Sequence, residues 1–149
     1  MRKPILIIWI ILLFLIGACS PKEDSDTLKA KKLIDYNNHK YDTLPLTGKI
    51  VDGVREIDIK AFQFGWDPDT IIVKKGEKVR ITVYAVDAQH GFELEGIQIP
   101  GWNTDTIIIK GDKKIIEFVP QEEGKWDMVC TVYCGPGHGE MKGKYIVRT

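Results

Sequence analysis

Within twelve residues, Cys130-Thr-Val-Tyr-Cys134-Gly-Pro-Gly-His138-Gly-Glu-Met141, the chain carries two thiols, an imidazole and a thioether. Thiolate and thioether donors joined by imidazole form a soft set that suits copper, whereas magnesium and calcium draw on carboxylates and carbonyls. A mononuclear blue-copper site uses one Cys, two His and a weak axial Met, so the second thiol, Cys134, calls for a different arrangement. Two thiolates can bridge two metal ions.

The loop supplies one imidazole, and a second must come from elsewhere. Besides His138 the chain has only His39 and His90. His39 lies in a polar stretch near the N-terminus, while His90 follows the strand-like run 78–85 and stands before Gly91, so His90 is the expected partner.

Each donor also has a plainer reading. Cys130 and Cys134 could form a disulfide in an oxidising compartment, but so short a loop removes little chain entropy, on the order of 1 to 2 kcal/mol. A lone Met is usually core filler and a lone His a surface residue. The combination at this spacing, in a loop shaped by Gly135, Pro136, Gly137 and Gly139, favours copper.

The pairing of His90-Gly-Phe92 with Cys130-x3-Cys134-x3-His138-x2-Met141 resembles the CuA domain of cytochrome c oxidase subunit II, particularly the short subunits of B-family haem-copper oxidases. The resemblance covers roughly Arg55 to Arg148 and takes in Phe62-Gln-Phe64-Gly-Trp66 and Ile72-Val-Lys-Lys-Gly76-Glu. It implies two copper ions bridged by the sulfurs of Cys130 and Cys134, with one imidazole on each from His90 and His138. Met141 and a backbone carbonyl complete the set. In the family that carbonyl belongs to the residue two after the first Cys, here Val132, where many relatives have Glu or Gln. A backbone oxygen is indifferent to that change. The resemblance also places Phe64 and Trp66 where subunit II receives electrons from a c-type cytochrome. Core packing is the plain alternative for both and for Phe92. Trp102 and Trp126 are further aromatic residues in reach of a shielding role.

The N-terminus reads as an address. Arg2 and Lys3 precede twelve apolar residues, Ile5 to Ile16, with Gly17 and Ala18 before Cys19. Ile16-Gly-Ala-Cys19 resembles the bacterial lipobox, in which the Cys becomes the new N-terminus and carries lipid. Twelve apolar residues fall short of the roughly 20 that span a bilayer. The expected organisation is a signal peptide over 1–18, a lipid-anchored tether over 19–48 and the copper domain over 49–149. The domain would then stand outside the cytoplasmic membrane of a bacterium, in a periplasm where one exists. The tether is rich in Lys, Asp and Asn, with a weak helical pattern from Leu28 to Tyr36 after Asp26.

Without its first eighteen residues the chain keeps 131 of 149, the size of one domain. It also keeps 19 basic against 21 acidic residues, a charge of about −2, so no basic surface argues for nucleic acid. Short β-branched runs at Ile57–Phe64, Thr70–Lys74, Val79–Val86, Thr106–Ile109, Ile115–Val119, Lys125–Val129 and Tyr145–Val147 alternate with Gly, Pro and Asp turns. That spacing predicts an all-β Greek-key sandwich or barrel, of cupredoxin type by the resemblance, with the ligands converging at one end.

Asp67, Asp69, Glu93 and Glu95 sit near turns or on alternating positions, as on a solvated strand face, and no nucleophile or phosphate-loop motif is present. The chain is therefore expected to turn nothing over alone. The resemblance implies an electron-transfer component that takes electrons from cytochrome c or a similar donor and passes them to the catalytic subunit of a haem-copper oxidase. A copper chaperone would load it. The alternative from another class is a copper-binding or copper-delivery lipoprotein.

Overall fold

Apolar residues recur at every second position in Ile57-Asp-Ile59-Lys-Ala61 and in Val79-Arg-Ile81-Thr-Val83-Tyr-Ala85, and such residues share one face of an extended chain. The computed structural model describes residues 25–26, 28–29 and 39–149. Both segments are strands in it, and these alternate residues are buried. Each Ile or Val side chain so taken out of water contributes about 1.5–3 kcal/mol, the alanines less.

The first sheet contains β1 (Lys49–Val51), β2 (Val54–Phe62), β3 (Gly65–Asp67), β5 (Lys78–Ala85) and β7 (Lys113–Phe118). β5 lies along one edge of β2, and the nine-residue β2 is long enough to pair β1 and β3 in tandem on its other edge. The second sheet runs β4 (Thr70–Lys74), β9 (Lys142–Arg148), β8 (Gly124–Val129), β6 (Glu93–Leu94). β2 pairs with β5, and β4 with β9, in parallel, because the connections between these partners pass through the opposite sheet; all other pairs are antiparallel. This is the Greek-key β-sandwich expected. Ile59, Val83 and Ile116 from one sheet meet Ile71, Met128 and Tyr145 from the other in a single buried cluster.

Several boundaries differ from the sequence expectation. The segment Ile57–Phe64 ends as a strand at Phe62, because Gln63 and Phe64 form the turn into β3. Thr106–Ile109 is not a strand: Ile108 alone forms a bridge, to His90, while Ile107 and Ile109 are 52% and 61% exposed. β1, β3 and β6 were not anticipated, being too short for a pattern of two to show.

Residues 41–47, part of the expected tether, are hydrogen-bonded to the sandwich. The Arg148 guanidinium donates to the carbonyls of Tyr41 (2.8 Å), Asp42 and Leu44 (2.7 Å). Thr47 exchanges two bonds with Ile72: its N–H reaches the Ile72 carbonyl at 2.8 Å, and its Oγ1 accepts the Ile72 N–H at 2.9 Å. Ser25, Asp26, Leu28 and Lys29 are helical and belong to a separate unit. The expected signal segment and Cys19 lie outside the described residues, as does most of the expected helix to Tyr36.

Candidate metal centre

The C-terminal ends of β5 and β8 and the start of β9 carry the loops that hold every expected ligand. Cys130 follows β8 and Met141 precedes β9, and Val129 pairs with Lys142 in the last rung between those strands. The twelve-residue loop is thus closed at its base by a β-ladder. Within it, the His138 N–H donates to the Gly135 carbonyl at 3.1 Å, and a 3₁₀ turn from His138 to Glu140 sets the imidazole and Met141 in place. His90 is fixed from another side, exchanging two backbone bonds with Ile108 at 3.0 and 2.8 Å.

These elements bring the expected donors together. Cys130 Sγ lies 3.8 Å from His90 Nδ1 and 3.2 Å from the Val132 carbonyl oxygen. Cys134 Sγ lies 3.7 Å from His138 Nδ1 and 3.8 Å from Met141 Sδ. The two sulfurs and a ring nitrogen of His90 lie within 4.8 Å of one another. Both cysteines are free thiols, so the disulfide reading does not describe this loop. His90 is 0%, Met141 1%, Cys134 5% and Cys130 7% exposed, and His138 alone among the side-chain donors is half-buried.

Burial, and next the neighbouring Cys130, push the Cys134 thiol up to about 11. A soft cation on both sulfurs removes that penalty, because it takes the thiolate form. The donor set fits copper: two sulfurs, two imidazole nitrogens, a thioether and one carbonyl, with no carboxylate among them. Zinc is ordinarily held by Cys, His and carboxylate rather than Met.

Asp87 supports the site and was missed as a functional residue, although it stands three residues before His90. Its Oδ1 lies 3.0 Å from His90 Nε2, so the Nε2–H is spent on the carboxylate and Nδ1 is left to face the sulfurs. Burial would raise the Asp87 carboxyl, but the Gln63 N–H at 2.8 Å and the His90 ring hold it below its ordinary value. The Gly91 N–H reaches Cys130 Sγ at 3.4 Å.

The aromatic residues divide. Phe64 is half-buried against the ligand loop: a β-carbon on Gly137 would lie 2.7 Å from its Cδ2, and one on Gly135 3.4 Å from its Cε1. Trp66, expected to receive electrons, is 3% exposed and meets Phe92 edge-on at 5.6 Å. It therefore presents almost no surface to a donor, because β3 turns its ring into the core. Trp102 is tied to the His90 side, its Nε1–H donating to the Phe92 carbonyl at 2.9 Å. Trp126 packs on Tyr145 and lines a groove with Phe118 and Pro120 at the base of β8, away from the ligands.

Residues 6–147 match the family of cupredoxin-like domains. The chain is similar to cytochrome c oxidase subunit 2 of Thermus thermophilus, 29% identical over 90 residues that make up 60% of this chain and 63% of that protein. It thus spans less than two thirds of that relative's length. Among solved structures, it resembles a chain of a heme-copper terminal oxidase dimer (TM-score 0.53, 22% identity, 81% of this chain and 90% of that one). It also resembles the metal binding domain of the Cu(I)-exporting P-type ATPase of Streptococcus pneumoniae (TM-score 0.53, 24% identity, 70% and 95%). At these identities both likenesses speak for the fold. With the Greek-key sandwich and the soft donor cluster at its loop end, the chain belongs to the cupredoxin-like domain family.

Proposed function

We propose that this chain is a CuA-type electron-transfer component that serves a haem-copper terminal oxidase. The observation that carries the reading is the meeting of two free thiols, two imidazole Nδ1 atoms, one thioether and the Val132 carbonyl at one end of the sandwich. Cys130 and Cys134 would bridge two copper ions, with His90 and His138 each on one and Met141 and the Val132 oxygen completing the set. When bound, the pair supplies reversible one-electron chemistry.

The chain's own part is to hold these donors still and mostly dry. Strands β8 and β9 clamp the loop ends, the Ile108 bridge and Asp87 fix the His90 ring, and burial excludes water from four of the donors. His138, half-buried with its ring 5.8 Å from that of the 66% exposed Tyr133, and following Gly137, on which the half-buried Phe64 packs, offers the way to a partner's surface. Electrons would arrive there from cytochrome c or a similar donor and leave for the oxidase's catalytic subunit. Export, lipid attachment at Cys19 and loading by a copper chaperone belong to the same reading. Copper delivery is the competing role, and the burial of His90, Cys130, Cys134 and Met141 weighs against it because cargo must exchange.

Copper stoichiometry and electron paramagnetic resonance of the purified chain, loaded under reducing conditions and partly oxidised, test the proposal. Two coppers per chain sharing one unpaired electron, seen as a seven-line hyperfine pattern, are expected. One copper with a four-line pattern would overturn the dinuclear site, and copper that passes readily to a competing chelator would favour delivery.

A further inference from the structure

Gln63 touches both halves of the metal centre, although it is neither a donor nor near the donors in sequence. It lies in the turn between β2 and β3. Its backbone N–H donates to Asp87 Oδ2 at 2.8 Å, and the other oxygen of that carboxylate holds His90 Nε2 at 3.0 Å. Its side-chain amide Nε2–H donates to the backbone carbonyl of Cys134, the residue whose sulfur faces both His138 and Met141. One residue therefore sets the His90 ring through its main chain and the Cys134 backbone through its side chain.

The ligand loop is shaped to admit this arm. A β-carbon at Gly135 would lie 2.7 Å from the Gln63 Nε2, and one at Gly137 would lie 2.7 Å from the ring of Phe64 beside it. The adjacent carbonyl is held in the same manner, since the Gln89 amide, from the His90 loop, donates to the Tyr133 carbonyl at 3.1 Å. Two glutamine amides from two different loops thus grip consecutive carbonyls ahead of the Gly-Pro-Gly stretch. Gln63 is exposed, yet its backbone N–H and its side-chain amide each donate inward to the site.

We infer that Gln63, with Gln89 beside it, is a positioning residue that locks the His90 loop to the Cys134 loop and so presets the spacing of the metal donors. The inference rests on the copper reading proposed above. Groups that orient metal ligands without touching the metal typically alter metal affinity by roughly 10- to 100-fold. Gln63→Met keeps the length of the arm and the backbone N–H but removes the amide donor, and Gln89→Met does the same at the second carbonyl.

The full chain and both variants would be compared in two states. In the metal-free protein, Gln63→Met is expected to speed amide hydrogen exchange at Gly135 and His138 by roughly tenfold while the unfolding midpoint stays at the wild-type value. In the copper-loaded protein, reduced copper should pass to a chelator roughly tenfold faster, with a changed hyperfine pattern, and the double variant should exceed either single one. A merely structural side chain would move the midpoint and leave the hyperfine pattern alone. Wild-type copper retention, with exchange, release and spectrum unaltered in both variants, would overturn the positioning role by itself. A wild-type chain that holds no copper would overturn the underlying reading and this role with it.

Discussion

The Gly91 N–H donates to Cys130 Sγ at 3.4 Å, so the residue after one expected ligand hydrogen-bonds directly to another on a different loop. Such an approach of two backbones leaves no room for a side chain. A β-carbon at position 91 would lie 2.1 Å from Thr131 Oγ1 and 2.9 Å from the Val132 backbone nitrogen. Thr131 cannot simply swing away, because its hydroxyl donates to the Thr104 carbonyl at 2.6 Å. Gly91→Ala is therefore expected to prise the His90 loop from the Cys130 loop, destabilising the metal-free protein by about 1–3 kcal/mol and abolishing stable copper retention. Denaturant unfolding with a copper competition assay checks both. Full copper retention in Gly91→Ala would show that the loops need not meet this closely.

Asp87 poses a separable question, because its two oxygens serve different partners. Asp87→Ala leaves His90 Nε2 buried with no acceptor and frees the ring to rotate, so copper affinity should fall by roughly 10- to 100-fold. Asp87→Asn keeps an oxygen that can face Nε2–H and should lose less. Equal affinity in Asp87→Ala and wild type, by chelator competition, would remove Asp87 from the account of the site.

How much could be read before the fold was known follows from where each interaction lives. Cys130, Cys134, His138 and Met141 were legible because their donor types crowd one loop, and His90 because few histidines compete. The alternation of Val79, Ile81, Val83 and Ala85 made β5 plain. Gln63 was not legible as a supporting residue, because its link to Cys134 exists only once the β2–β3 turn lies across the loop. Thr106–Ile109 misled for a related reason: its β-branched residues look like a strand, but only Ile108 forms a β-bridge, and its partner there is His90. Trp66 is a separate case: the resemblance places it in the segment that receives electrons, while β3 turns its ring into the core, a placement that no motif carries.

Tyr145 offers a test of the core away from copper. Its ring is fully buried between Phe118 at 6.0 Å and Trp126 at 6.2 Å, and its hydroxyl has no hydrogen-bond partner among the described residues. An unsatisfied buried hydroxyl costs stability, on the order of 1–3 kcal/mol in desolvation. Tyr145→Phe keeps the ring contacts and removes that group, so unfolding free energy should stay level or rise by about 1 kcal/mol. A loss of that size in urea denaturation would mean the hydroxyl has a partner, for example a buried water.

The Cys134 thiol gives the centre a pH signature whose sign differs between stability and binding. In the folded metal-free protein, burial and the nearby Cys130 raise this thiol from 9.0 to about 11. Between those values the unfolded chain has already given up the proton that the folded chain keeps, so stability falls as pH rises through the window. Below it, both states hold the proton and this group adds no pH dependence. Copper binding runs the other way, because the thiolate is the ligand and the proton must leave. Apparent affinity should therefore climb roughly tenfold for each pH unit on account of Cys134 alone. Chelator competition at about pH 6 and about pH 8, corrected for the chelator's own protonation, should show at least a roughly hundredfold gain. Copper-loaded protein, with its thiolates already formed, should lack the alkaline loss of stability. An affinity flat across that range would mean that copper does not displace the Cys134 proton, and the thiolate bridge would fall with it.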